Sequence, residues 1–284
     1  MLNLASDRLF TIIGYRYLHF KCRVPSPRIE WESPSRFNHK LIWLKHNYKK
    51  SDAGKFVDKI EVKKFVAKVI GERYIIPTLG VWSRAEDINF DELPNEFILK
   101  ASHGSGWNLI VRDKSKINIE DVKATANSWL KQDYGRQGRE YQYSGVCPRL
   151  LAEPLLNQKG AADLLDYKFF CFHGEPKFIQ LDSERYTDHK RDFYDLEWSP
   201  LPFTLLYKKS GREAEPPNQF DDMKKIASKL SEDFIFARID LYSVNSRIYF
   251  GEITFHPEGG FGPILPDNWD FKLGKLLELP LASH

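Results

Sequence analysis

The chain is expected to be an α+β protein with mainly antiparallel sheets, and three stretches carry that expectation. Residues 97–111 hold two apolar strand-like runs joined by a small-residue loop, which reads as an antiparallel hairpin. Residues 236–242 and 249–255 repeat that pattern, with 243–246 as the connecting turn. Helical periodicity sits apart from them: Val62, Phe65, Val66, Val69 and Ile70 recur at i, i+3, i+4, i+7 and i+8 and stop at Gly71.

Taken in order, residues 8–23 mix aromatic with basic side chains and carry no acid after Asp7. Such a helix either packs on the body of the protein or lies on an anionic membrane surface. Residues 36–50 read as a second helix. Asp58 is an N-cap for the next one, which puts Lys59 in its first turn. Residues 75–82 read as a strand, and 119–132 as a helix over the 97–111 hairpin. Residues 133–146, rich in Gly, Tyr, Gln and Arg, read as a mobile boundary or substrate loop. The expected division is a mostly helical segment, 1–70, a small lobe with the glycine-rich hairpin, 71–149, and a large lobe, 150–284, with a metal site.

Composition excludes several classes. At 284 residues, 42% hydrophobic and 29% charged, the chain can bury one large core or two lobes and is no disordered tail. A net charge of +3 is too small to argue for nucleic acid, though it suits anionic substrates. The three cysteines, Cys22, Cys147 and Cys171, are odd in number and lack metal-ligand spacing, which favours a reducing cytoplasmic setting. No stretch has the apolar length of a transmembrane helix and no signal peptide appears, so any membrane contact is expected to be peripheral, at the inner face. The eight histidines show no zinc-site spacing.

Charged groups inside apolar strands need a partner or a metal. Strand parity puts Arg238 and Asp240 on one face of the 236–242 strand and Glu252 with Thr254 on one face of the next. With Arg238 opposite Glu252, Asp240 would lie diagonal to Glu252 at about 7–8 Å, close enough for both carboxylates to share a hard cation. The bland alternative is an Arg238–Glu252 ion pair. A second candidate is the loop Ser102, His103, Gly104, Ser105 and Gly106 after Lys100. Glycines let backbone N–H groups approach phosphate oxygens, and the lysine adds positive charge. It opens a strand, not a helix, so neither a Walker loop nor a dinucleotide fingerprint fits. An ordinary Gly–Ser turn is the alternative.

Lys100 with its glycine-rich hairpin, then Glu153-Pro154-Leu155-Leu156, then Arg238-x-Asp240, then Glu252-x-Thr254, in this order, resembles the ATP-grasp superfamily. The stretches 37–45, 57–66, 166–177 and 238–262 resemble more closely its TupA-like branch, named for teichuronopeptide biosynthesis, and the likeness covers residues 34–277. It implies two α+β lobes with ATP between them and the glycine-rich hairpin over the phosphates. It further implies Lys59 at the phosphates, a hinge at Glu153, Pro154 and Leu156 for adenine, Asp166 at the ribose and Lys168 near the phosphates. Asp240, Glu252 and Thr254 would hold Mg²⁺, while Arg238 and the Gly259 and Gly260 N–H groups would stabilise an oxyanion.

The activity implied is an ATP- and Mg²⁺-dependent carboxylate–amine ligase that forms an amide through an acylphosphate. Its expected setting is assembly of a bacterial surface polysaccharide, be it capsule, O-antigen or teichuronopeptide. Its partners would be a carboxylate-bearing sugar or peptide, an amino-acid amine and a lipid-linked glycan at the membrane surface. A kinase or phosphotransferase acting on a glycan and a non-catalytic nucleotide-binding scaffold are the other readings. Two departures stand out. Thr254 occupies a position where many ATP-grasp ligases have asparagine, and the residues before Lys59 lack the βαβ alternation of the usual N-terminal substrate domain.

Overall fold

The computed structural model describes residues 4–48, 52–156, 164–184 and 188–280. In chain order the elements are α1 (Leu4–Lys21), α2 (Phe37–Asn47), α3 (Gly54–Val57), α4 (Glu61–Val69), β1 (Gly80–Trp82), β2 (Phe97–Ala101), β3 (Asn108–Val111), α5 (Ile119–Leu130), α6 (Tyr134–Gly138) and β4 (Leu150–Pro154). Then come β5 (Asp166–Phe172), β6 (Glu175–Ser183), β7 (Lys190–Tyr194), β8 (Thr204–Leu205), α7 (Phe220–Ser231), β9 (Phe236–Val244), β10 (Arg247–Thr254), β11 (Ile264–Leu265) and α8 (Asn268–Gly274).

Asp58 does cap: its Oδ1 accepts from Ile60 N at 2.8 Å and Glu61 N at 3.4 Å. Because that turn spans residues 58–61, Lys59 precedes α4 rather than sitting in its first turn. Three other expectations shift. The second helix ends at Asn47, and the remainder of its expected span, 49–50, lies outside the described residues. The strand expected over 75–82 contracts to β1, since Pro77 has no N–H to offer a ladder. The loop expected over 133–146 forms α6 and a 3₁₀ turn, pinned by rings: Tyr134 lies 5.4 Å from Trp107 and 4.7 Å from Tyr143.

The chain divides into two units, residues 50–164 and residues 1–49 with 165–284. The smaller holds an antiparallel sheet in the order β1-β4-β2-β3. Phe97, Leu99, Ala101, Leu150 and Ala152 alternate onto one of its faces and pack with Val122, Ala126 and Trp129 of α5. The larger holds an antiparallel sheet in the order β10-β9-β5-β6-β7. One face carries Phe169 and Cys171 against α7, where the Phe169 and Phe220 rings stack at 6.1 Å. The other face is aromatic at one end, and Phe37 of α2 lies within 6.3 Å of Phe170, Phe172 and Phe236.

These pairings redraw the expected three-part division. The N-terminal helix α2 joins the C-terminal sheet because Phe37 is part of its aromatic core. Strand β4 pairs with β1 and β2, so the smaller unit extends past residue 150. Helix α1 packs on its own unit, with Tyr15 1% exposed and Thr11 Oγ1 2.9 Å from His46 Nε2.

Candidate functional site

In the smaller unit Ile98 pairs with Glu153 and Lys100 with Leu151, and alternation turns Lys100 and Glu153 away from the apolar core. Lys100 Nζ reaches Glu153 Oε2 across the diagonal at 2.5 Å, while Lys63 Nζ of α4 reaches Oε1 at 2.5 Å. Burial works to raise the Glu153 pKa, but the Lys100 and Lys63 ammonium groups outweigh it and hold the carboxyl below its ordinary value. Lys63 Nζ also donates to Thr78 Oγ1 at 2.6 Å and Ile76 O at 2.8 Å. One carboxylate therefore serves two cations, and positive charge is in excess.

The loop beyond Lys100 is tied down at its base. Ser102 N donates to Arg149 O at 2.8 Å, and its hydroxyl donates to Cys147 O at 3.4 Å. His103 is buried, donates from Nε2 to Trp129 O at 3.0 Å, and has its pKa lowered by that burial. The Trp107 ring covers Gly104, where an added Cβ would come within 2.5 Å of it. Lys59 Nζ donates to Gly104 O and Lys59 N to Ser102 O. Ser102 and His103, expected at the phosphates, are here engaged with the protein itself, and the exposed tip of the loop is Ser105 and Gly106. Pro154 ends β4 opposite Phe97, and Leu156 follows it, half-buried.

In the larger unit the polar end of the sheet face reads, row by row, Glu252, Asp240, Lys168 and Gln180, then Asp166, Asp182 and Arg191. The register corrects the expected one. Asp240 lies directly opposite Glu252, and Arg238 opposite Thr254, because a bulge intervenes between Phe250 and Glu252. Gly251 occupies it, where a Cβ would come within 3.0 Å of Asp240 O and the Tyr242 ring. The turn is tighter than 243–246, with Asn245 at φ 49° and Ser246 at φ 59°, the backbone of a two-residue hairpin loop.

Arg238 forks onto Asp240, Nε to Oδ1 at 2.7 Å and Nη2 to Oδ2 at 2.8 Å, and Nη2 also reaches Glu252 Oε1 and Thr254 Oγ1, both at 3.1 Å. Lys168 Nζ lies 2.5 Å from Asp166 Oδ2 and 2.6 Å from Asp240 Oδ2. Burial pushes the Asp240 pKa up to about 6 against the pull of Arg238 and Lys168, with Asp166 and Glu252 adding to the rise. For Lys168 burial acts to lower the pKa, and the two aspartates reverse it. Lys168 and Asp166, expected at phosphate and ribose, are here engaged with each other. The expected donor N–H of Gly259 is given to His256 O at 2.9 Å, and Gly260 packs on Asn38 O, Leu41 and Ile42.

Mg²⁺ calls for hard oxygen donors. Asp240, Glu252 and Thr254 supply them on facing strands, and three carboxylates against two cations leave this cluster negative. The donor set fits. Glu252 is its accessible member, at 39% side-chain exposure, whereas both Asp240 oxygens are occupied by cations. Among the described residues no three of His, Cys, Asp and Glu are already arranged around a metal position.

Sequence reasoning missed Lys63, which looks like any surface lysine until α4 is laid beside β4. It also missed Gln180, Asp182, Arg191 and Glu258. Asp182 accepts from Arg191 Nε at 2.7 Å and Gln180 Nε2 at 3.0 Å, and Arg191 Nη1 donates to Glu258 Oε1 at 2.9 Å. Burial opposes ionisation of Asp182, yet His189 and Arg191 hold its pKa far below the usual carboxylate range. The period-2 spacing of Gln180 and Asp182 was the available signal.

No match is found among curated proteins. Among solved structures, D-alanine–D-alanine ligase from Bacillus anthracis matches with a TM-score of 0.48 and 15% identity over 81% of this chain and 69% of that one. The same enzyme complexed with ATP gives 0.47 and 17% over 79% and 64%. D-Alanine–D-alanine ligase from Helicobacter pylori gives 0.43 and 18% over 78% and 58%, so the chain spans about three fifths to two thirds of these ligases. A family model described as TupA-like ATPgrasp matches residues 39–278. That match takes in both charged constellations, from Lys63 to Thr254, and the chain belongs to the TupA-like ATP-grasp family.

Proposed function

We propose that this chain is an ATP- and Mg²⁺-dependent carboxylate–amine ligase that acts in the cytoplasm, at the inner face of the membrane, in surface-polysaccharide assembly. The opposite charge balance of its two constellations is the observation that supports this reading. Around Glu153 positive charge is in excess, which suits phosphate oxygens; around Asp240 and Glu252 negative charge is in excess, which suits a divalent cation.

In this reading Lys100, Lys63 and Lys59 with the Ser105–Gly106 tip neutralise the phosphates, and the hinge at Glu153, Pro154 and Leu156 receives adenine. Asp240, Glu252 and Thr254 would hold Mg²⁺, which supplies charge neutralisation on the phosphoryl oxygens. The substrate carboxylate oxygen attacks the γ-phosphorus and ADP leaves. The amine nitrogen then attacks the acyl carbon, loses a proton to solvent and expels phosphate. Arg238 is held by Asp240 through Nε and Nη2, and its Nη1, which makes none of those bonds, would donate to the developing oxyanion. The carboxylate belongs to a uronic acid or a glutamyl group, the amine to an amino acid.

The test is an ADP-release screen of uronic acids and glutamyl peptides against amino acids, with mass detection of product. Amide, ADP and phosphate in equal amounts are expected. AMP with pyrophosphate would overturn the acylphosphate route. Phosphorylated glycan formed without an amine would make the chain a phosphotransferase, and nucleotide binding without turnover would make it a scaffold.

A further inference from the structure

We propose that α1 is a docking face for an anionic lipid bilayer. One side of this helix is anchored to the body of the larger unit: Thr11 pairs with His46, the Tyr15 hydroxyl lies 3.3 Å from His39 Nε2, and the Tyr15 ring lies 5.6 Å from that of His39. Anchoring fixes which side is left facing water. That side carries Leu9, Ile13, Tyr17 and Phe20, exposed by 58, 59, 64 and 81%. Their spacing of four, four and three residues makes one continuous stripe, roughly 17 Å long at the helical rise. Soluble surfaces seldom line up four large apolar side chains in this way.

Charge identifies the occupant. From Arg8 to Ile29 the chain has no Asp or Glu, and Arg16, Lys21, Arg23 and Arg28 are all exposed. Apolar and aromatic anchors edged by cations match a bilayer whose headgroups are anionic, with the helix lying in the interface plane. A second copy fits less well, because a twofold pairing through the stripe would bring together the cations that edge it on both copies, with no Asp or Glu from Arg8 to Ile29 to answer them. The helix lies on the bilayer and does not cross it: no described helix is long and apolar enough to span a membrane. This surface is independent of the ligase reading, although it would hold the chain where a lipid-linked acceptor resides.

The experiment uses the full chain and vesicles of phosphatidylcholine, alone or in equal mixture with phosphatidylglycerol. Co-sedimentation with the mixed vesicles is expected, at least about tenfold weaker with phosphatidylcholine alone or at high salt. The double variant Ile13→Ser, Phe20→Ser should bind mixed vesicles at least about tenfold less well with an unchanged melting temperature, since both side chains are already in water. The Phe20→Trp variant should show a blue shift in emission on addition of mixed vesicles that the wild type lacks. The proposal is overturned by wild-type levels of binding in the double variant, or by absent binding of the wild type together with unshifted emission in the Phe20→Trp variant. It is equally overturned by a dimer in size-exclusion chromatography that the double variant dissolves, which would make the stripe a contact between copies.

Discussion

The two charged constellations use the same ingredients in opposite proportions. In the smaller unit one buried carboxylate, Glu153, collects the ammonium groups of Lys63 and Lys100. In the larger, Arg238 and Lys168 are shared among Asp166, Asp240 and Glu252. Burial raises the cost of any uncompensated charge, so each excess marks a place where a counter-charge is expected to arrive. By charge alone, the first would suit an anion and the second a cation. Complementary imbalance of this kind carries more functional information than either ion-pair network alone, since a purely structural network tends to neutrality.

The largest expected effect lies at the accessible edge of the acidic cluster. Glu252→Gln keeps shape and removes one charge from a side chain that is 39% exposed. ATP turnover should fall by on the order of 10²- to 10³-fold, while the melting temperature stays within a few degrees. Full turnover in this variant would leave the strand pair a structural ion cluster. Asp240→Asn should behave differently, because it strands Arg238 and Lys168 without their shared partner. A loss of about 3 kcal/mol in chemical denaturation is expected, and an Asp240→Asn protein as stable as the wild type would show that the cluster is not held by that carboxylate.

The same contrast explains what could be read from the chain. Strand parity put Arg238 with Asp240 and Glu252 with Thr254, since alternation is a local property. The register between those strands was not legible, because one inserted residue, Gly251, moves Asp240 from diagonal to directly opposite Glu252. Lys100 was recognisable from the glycine-rich loop after it. Lys63 and Arg191 were not: Glu153 and Glu258 are supplied by elements far along the chain, and Asp182 faces Arg191 only in the register of β6 with β7. Phe37 shows the limit for the fold: its helix was predicted, but nothing local says that its ring enters the C-terminal sheet.

Titration should separate the two constellations by sign. Asp240, pushed up to about 6 from 3.8, takes up a proton in the folded chain before the unfolded chain does. Its protonation therefore favours folding increasingly as pH falls through about 6. Glu153 is held below its ordinary 4.5, so its contribution is complete above that value and is lost as pH falls through the folded one. Denaturation at pH ~6.5 and ~4.5 should show the stability gap between wild type and Asp240→Asn widening by about 2 kcal/mol. The gap to Glu153→Gln should instead narrow once pH drops below 4.5. Gaps moving in the same direction would mean that the two sites do not differ in charge balance.

The smallest effect is expected at Ser102, and it tests where the phosphate-binding part of the loop begins. The Ser102 N–H is donated to Arg149 O at 2.8 Å, and its hydroxyl approaches Cys147 O at only 3.4 Å. A hydroxyl so placed gains little by folding and faces the base of the loop, whereas Ser105 and Gly106 are exposed at its tip. Ser102→Ala should leave ATP affinity within about twofold and stability within about 1 kcal/mol. Lys100→Ala, which removes one of the two ammonium groups at Glu153, should weaken ATP at least about tenfold in the same titration. If Ser102→Ala matched the lysine variant, the loop would have to release Arg149 and Cys147 when nucleotide binds, and the tip alone could not be the phosphate cradle.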